Sequence, residues 1–316
     1  MRVNKVDQYV KAATSDNTRR SYRSAIEHFE VSWGGFLPAT SDSIARYLAE
    51  YGESLSINTL QQRLAALSKW HIEQGMPDPT KAPLVKKVLR GVRALHPKRA
   101  KSAKPLQLEQ LEQLDNWFID QINTAAKIGN RIALLKHTRN RALVLIGFWR
   151  GFRSDELSRL TIDHIHIIPN EGMTLFLQTS KTDRDHKGKT FKAPALSRLC
   201  PVTAYSHWLE ISGLTSGPAL PGINKWGNIN NRAMHPSSFI HLLRDLFCNA
   251  GILSPESYSS HSLRRGFANW ANSNGWDMKT LMEYVGWKDI NSALRYIEST
   301  DPFQQRRINT SLLIAS

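Results

Sequence analysis

The chain has 316 residues, a length that suits two domains of ordinary size better than one. Apolar residues make up 41% and charged residues 22%, ordinary globular usage that excludes wholesale disorder. Lys and Arg outnumber Asp and Glu by 42 to 27, a formal charge of +15, so the surface must carry positive potential and a polyanion is the expected partner. The first residues, Met1 to Asp7, have charge but no apolar stretch behind them, so no secretory signal is expected. The longest apolar run, Ala142 to Trp149, is far shorter than the ~20 residues a spanning helix needs, which ranks nucleic acid above the bilayer. Cys200 and Cys248 are far apart and lack metal or redox spacing, so both are expected as reduced packing residues.

From Thr14 to His96 the pattern predicts helices with short breaks. The first follows a cap at Asn17-Thr18, the second starts at Asp42 or Ser43, the third at Ser56 to Asn58 and the fourth at Thr80 to Pro83, with Gly52 and Gly75 marking ends. This is a helical domain of roughly four to five helices with basic residues on their outer faces. Residues 97–105 carry four positive charges between two prolines and read as a basic linker, either following a phosphate backbone or serving as a solvated tether. Helical patterns return from Leu106 to Trp149. Ile162 to Ile168, Thr174 to Gln178 and Thr190 to Ala193 then predict a small antiparallel sheet. Helices resume at Pro201, interrupted by a Gly/Pro/Asn-rich loop from Ser216 to Asn231. The expected fold is mainly α with a small antiparallel β-sheet: domain 1–96, linker 97–105 and domain 106–316.

Three segments carry chemistry. In Gly147 to Leu160, Gly151 ends an apolar helix and Arg153 lies near a new helix start, one turn from Glu156. A carboxylate there orients the guanidinium, whose planar fork suits phosphate, although Arg150 is a rival on spacing alone. In Ser260 to Ala268, His261 and Arg264 lie one turn apart near a helix N-terminus, where partial positive charge favours an anion, while Arg265 points elsewhere, toward backbone or solvent. The third segment, Glu283 to Tyr296, contains Gly286-Trp287 and, nine positions after the tryptophan, Tyr296.

Arg153 in G-x-R-x-x-E-L, His261 and Arg264 in H-x-L-R, then Gly286-Trp287 and Tyr296, occur in the order found in tyrosine recombinases, and the sequence resembles that family. It is most similar to the Cre-like members, which also have tryptophan where many relatives have histidine after the glycine. The resemblance covers the whole second domain, and the helical first domain resembles the family's core-binding domain.

The resemblance implies a site-specific DNA recombinase that cuts and rejoins strands through a 3′-phosphotyrosyl intermediate and a Holliday junction. The catalytic set it implies is Arg153, Lys181, His261, Arg264, Trp287 and Tyr296, supported by Glu156. Lys181 is chosen on its position after the apolar run LFLQT, ahead of Lys187, Lys189 and Lys192. Arg153 and Arg264 would hold the non-bridging oxygens, His261 would take the tyrosine proton, Lys181 would protonate the leaving 5′ oxygen, and Trp287 would donate an indole N–H. No metal, nucleotide or other cofactor is expected. The resemblance further implies a C-shaped clamp of two domains, a homotetramer on two double-stranded DNA sites with inverted repeats, and action in the cytoplasm, at the nucleoid of a bacterial or phage-like host. Ser299 to Ser316, broken at Pro302, reads as an amphipathic helix that the resemblance would dock on a neighbouring protomer, the alternative being that it folds back on its own domain. Two rival readings are a type IB topoisomerase-like strand relaxase and a non-catalytic DNA-binding accessory protein.

Overall fold

In the computed structural model, residues 5–97, 102–178 and 188–297 are described. Lys181 and the segment Ser299 to Ser316 lie outside them. The chain divides into two compact units, Met1–Lys101 and Ser102–Ser316.

The first unit contains helices α1 (Lys5–Ala12), α2 (Asp16–Glu27), α3 (Ser41–Glu50), α4 (Ile57–Glu73) and α5 (Pro83–Leu95). Its starts are local chemistry: the side chains of Ser15, Thr40 and Ser56 each accept the backbone N–H three residues on, and Pro83 occupies the first turn of α5. The caps sit one to three residues ahead of some starts expected from the pattern, and α1 precedes the expected helical region. Glu27 is the last α-helical residue of α2, after which His28–Ser32 continue as a π-helical turn. Phe29, Ile44, Tyr47, Leu48, Leu60, Leu67, Val85 and Val92 close the core. Arg20, Arg23, Arg46, Lys86, Lys87, Arg90 and Arg93 remain exposed, so α2, α3 and α5 do present basic outer faces.

The second unit is built around α7 (Arg131–Trp149), whose residues from Ala142 to Trp149 are all buried. A helix apolar on every side must be enclosed, and α6 (Leu108–Lys127), α9 (Pro201–Ser212), α11 (His261–Ser273) and the short α8 (Ser154–Ser158) pack against it. Strands β1 (Ile165–Ile168), β2 (Gly172–Leu177) and β3 (Lys189–Pro194) form an antiparallel sheet in the order β1-β2-β3, with Leu175 opposite both Ile165 and Phe191. Ile162–His164, expected as part of the first strand, form a 3-10 turn instead. The loop expected between Ser216 and Asn231 contains a second hairpin, β4 (Pro221–Ile223) and β5 (Ile229–Ala233), whose position depends on Arg139 donating to the Pro221 carbonyl at 2.8 Å. α10 (Ser238–Asn249), α12 (Met278–Val285) and α13 (Ile290–Leu294) complete the unit.

Part of the expected linker is fixed to this unit. Lys104 N–H donates to the Ser257 carbonyl at 2.9 Å and Leu106 N–H to the Ser262 carbonyl at 3.0 Å. Gly266 is why the chain can lie so close to α11, since a Cβ there would collide with the Leu106 carbonyl oxygen. Among the described residues no helix is long and apolar enough to cross a membrane.

Candidate active site

α7 stops at Gly151, whose φ of +55° is the left-handed turn conformation that favours glycine. The turn gives Arg153 an extended backbone as the N-cap of α8 and puts Glu156 one turn inside. The Glu156 carboxylate accepts the Arg153 backbone N–H at 2.7 Å and Arg153 Nη1 at 2.8 Å. Glu156 is buried, and its other contact is Arg264 Nη1 at 3.4 Å. One carboxylate thus orients both arginines.

Arg150, the rival on spacing, is fully buried with its guanidinium 3.7 Å from the Tyr284 ring centroid. It donates to the carbonyls of Lys192, at 2.8 Å, and Tyr284. Burial lowers its pKa. Arg150 therefore binds α7, β3 and α12 together, leaving Arg153 as the partly exposed member of the pair.

α11 begins at His261, so His261 and Arg264 sit in its first turn as expected. Arg264 is 0% exposed; its Nη1 donates to the Gly151 carbonyl at 2.6 Å, and its guanidinium lies 5.0 Å from the Trp287 ring centroid and 5.5 Å from that of Tyr296. Burial, opposed by Glu156, lowers its pKa to about 10, so it stays cationic near neutrality. Gly286 ends α12 at φ +81°, and Trp287 N–H donates back to Met282 at 2.9 Å, which turns the indole inward. The indole is buried and tilted on Tyr296, ring centroids 5.5 Å apart.

Tyr296 follows the C-cap of α13. Its hydroxyl is 3.1 Å from His261 Nδ1. The site thus brings together Arg153, Glu156, His261, Arg264, Trp287 and Tyr296. Among the described residues, the buried Arg264 Nε, Arg264 Nη2 and Trp287 Nε1 have no hydrogen-bond partner. Buried donors are costly to leave unpaired, and these belong to side chains packed against the Tyr296 ring, an arrangement able to accept an anion.

Lys187 lies outside the described residues, like Lys181. Lys189 begins β3, and its Nζ donates to the Glu283 carbonyl at 3.4 Å; burial and then the charge of Arg150 lower its pKa. Lys192 is exposed and gives its carbonyl to Arg150. Lys189 therefore stands beside Gly286 at the edge of the site, a place its spacing from Gly188 did not reveal. Among the described residues no three His, Cys, Asp or Glu side chains group as metal ligands.

The phage integrase family model matches residues 112–302. The integrase/recombinase xerD homolog of Selenomonas ruminantium is 25% identical over 315 residues, covering 96% of this chain and 88% of the relative. Recombinase cre of Escherichia phage P1 is 24% identical over 281 residues, covering 84% and 78%. Among solved structures, the Tn1549 transposon integrase in complex with circular intermediate DNA superposes with a TM-score of 0.62 at 16% identity, covering 98% of this chain and 97% of that one. The XerH site-specific recombinase bound to palindromic difH substrate gives 0.58 at 18%, covering 94% and 80%.

The partly exposed Arg153 and the buried Arg264 share one carboxylate and the Tyr296 hydroxyl lies against His261, and the chain belongs to the phage integrase family. It is a tyrosine site-specific recombinase.

Proposed function

We propose that Tyr296 attacks a DNA phosphodiester held by Arg153, Arg264 and Trp287, releasing the 5′ oxygen and leaving a 3′-phosphotyrosyl link. The observation that carries this is the set of unpartnered buried donors on Arg264 and Trp287, two side chains packed against the Tyr296 ring. As the phosphorus becomes five-coordinate, negative charge grows on the non-bridging oxygens, and preorganised cations in a dry site stabilise it without reorganising. Glu156 holds both guanidiniums in place before DNA arrives. His261 takes the phenol proton through Nδ1, and Trp287 donates its indole N–H and keeps water from the covalent bond. The 5′ oxygen takes a proton from a hairpin lysine. Lys181 is our assignment for that acid, and Lys189 is the alternative favoured by its lowered pKa and its place beside Gly286.

The phosphotyrosyl bond retains the energy of the phosphodiester, so a 5′ hydroxyl from another strand can reverse the step and produce a Holliday junction. In this reading residues 1–96 and 106–316 both bind duplex DNA, joined by the basic segment 97–105. Four protomers act on two sites with inverted repeats, at the nucleoid in the cytoplasm. The palindromic substrate on which the XerH relative was solved supports the repeat symmetry.

Tyr296→Phe tests the central step. It removes the attacking oxygen and keeps the ring, so DNA affinity should persist while covalent adduct on a nicked suicide substrate disappears. Adduct formed by this variant would assign the attack to another residue.

A further inference from the structure

Arg265, the neighbour of Arg264, is expected from its position in the sequence to point toward backbone or solvent. In the structure it is buried, 8% exposed, and its Nη1 donates to the carbonyl of Arg295 at 2.8 Å, across thirty residues of chain. That carbonyl belongs to the peptide joining Arg295 to Tyr296. The other polar group of the same peptide, Tyr296 N–H, donates to Ala293 at 2.9 Å. Both sides of the peptide plane that carries the tyrosine are therefore pinned.

α13 has only five residues, too few to be stable by itself, so tertiary contacts decide where its end lies. A guanidinium facing a carbonyl at a helix C-terminus is also favourably placed for the partial negative charge there. His261, Arg264 and Arg265 stand at the first, fourth and fifth positions of α11, which puts them on one face. The same helix thus touches Tyr296 at its hydroxyl through His261, over its ring through Arg264, and at its preceding peptide through Arg265.

We propose that Arg265 is a positioning residue for the nucleophile: by holding the Arg295 carbonyl it fixes the Tyr296 hydroxyl against His261 and the scissile phosphate. Proton acceptor, phosphate clamp and nucleophile then share a single rigid reference, α11. The inference rests on the reading of Tyr296 as the nucleophile.

The test compares Arg265→Met and Arg265→Lys in the full chain with Tyr296→Phe as control. Arg265→Met should form adduct on the suicide substrate about 10²-fold more slowly, the scale of loss for an ångström of misplacement, while half-site affinity stays within about threefold. Arg265→Lys, whose ammonium can still donate to the carbonyl, should recover part of the rate. With 3-fluorotyrosine at position 296, the fluorine resonance should broaden or split in Arg265→Met without DNA. Cleavage by Arg265→Met within about threefold of wild type would overturn the proposal, and so would rate and half-site affinity falling together. If the methionine variant does not melt cooperatively, the lysine variant decides: a slower rate and altered fluorine line at unchanged affinity support the role, and wild-type values in both overturn it. Adduct formed by Tyr296→Phe would instead defeat the nucleophile assignment alone.

Discussion

Glu156 shows how a single side chain sets the charge of the site. It accepts from the Arg153 backbone and side chain and stands 3.4 Å from Arg264, so two guanidiniums share one carboxylate. The trio carries one net positive charge, which matches the single charge of a phosphodiester, while the fixed guanidinium N–H groups stay aimed at charge that develops during attack. In the proposed reading Arg153 serves binding and Arg150 serves folding. Arg153→Lys should leave the urea midpoint unchanged while cleavage of the suicide substrate falls by about 10²-fold or more, because an ammonium cannot replace the planar fork. Arg150→Met should do the reverse damage, lowering stability by about 2–4 kcal/mol because the carbonyls of Lys192 and Tyr284, both partly buried, lose their donor. Near-normal cleavage by Arg153→Lys would return Arg150 to consideration. Spacing alone could not separate these two arginines, because the decision is made by the left-handed turn at Gly151, which puts Arg150 inside and Arg153 at the rim.

At the scale of elements, α6 and α7 enclose a titratable group. His137 lies edge-on to Trp117, ring centroids 5.3 Å apart, and burial followed by the charge of Lys136 lowers its pKa below 6.5. The folded state therefore keeps the ring neutral where the unfolded chain would take up a proton. Its contribution to stability is fully present above pH 6.5 and is lost as pH falls below that value toward the folded one. A urea titration of the wild type at about pH 5.5 should show a lower midpoint than at about pH 7.5, and His137→Phe should narrow the gap. Equal gaps in the two proteins would remove His137 as the cause. Most of the helices were legible because their signals are local: the expected starts at Asn17-Thr18, Asp42 or Ser43, Ser56 to Asn58 and Thr80 to Pro83 lie within three residues of the observed ones, although α1 was not expected. The β4–β5 hairpin was not, because its strands are short and one of its fixed points is Arg139, about eighty residues earlier in the chain. The roles of Arg265 and Lys189 were hidden for the same reason, since their partners, the Arg295 and Glu283 carbonyls, are distant backbone atoms that no motif records.

For the whole molecule, the formal charge of +15 makes DNA affinity a matter of counterion release. Raising salt from about 50 to about 200 mM should weaken half-site binding by about 10³-fold in a gel-shift titration, and a flat response would show that the basic excess serves another purpose. The order of motifs along the chain was enough to bring Arg153, Glu156, His261, Arg264, Trp287 and Tyr296 together, because each of the three segments carries its own local geometry, whereas Lys181 lies outside the described residues. The entry of the chain into the second unit has a mechanical consequence. Lys104 and Leu106 are stapled to the carbonyls of Ser257 and Ser262, and the missing side chain of Gly266 lets Leu106 rest on α11. Any pull arriving through the linker is thus applied at the root of the helix that bears His261 and Arg264. Extra residues inserted ahead of Ser102 would lengthen the tether and slacken that pull, whereas one residue inserted between Lys104 and Leu106 would break the staples and free the lever from its fulcrum.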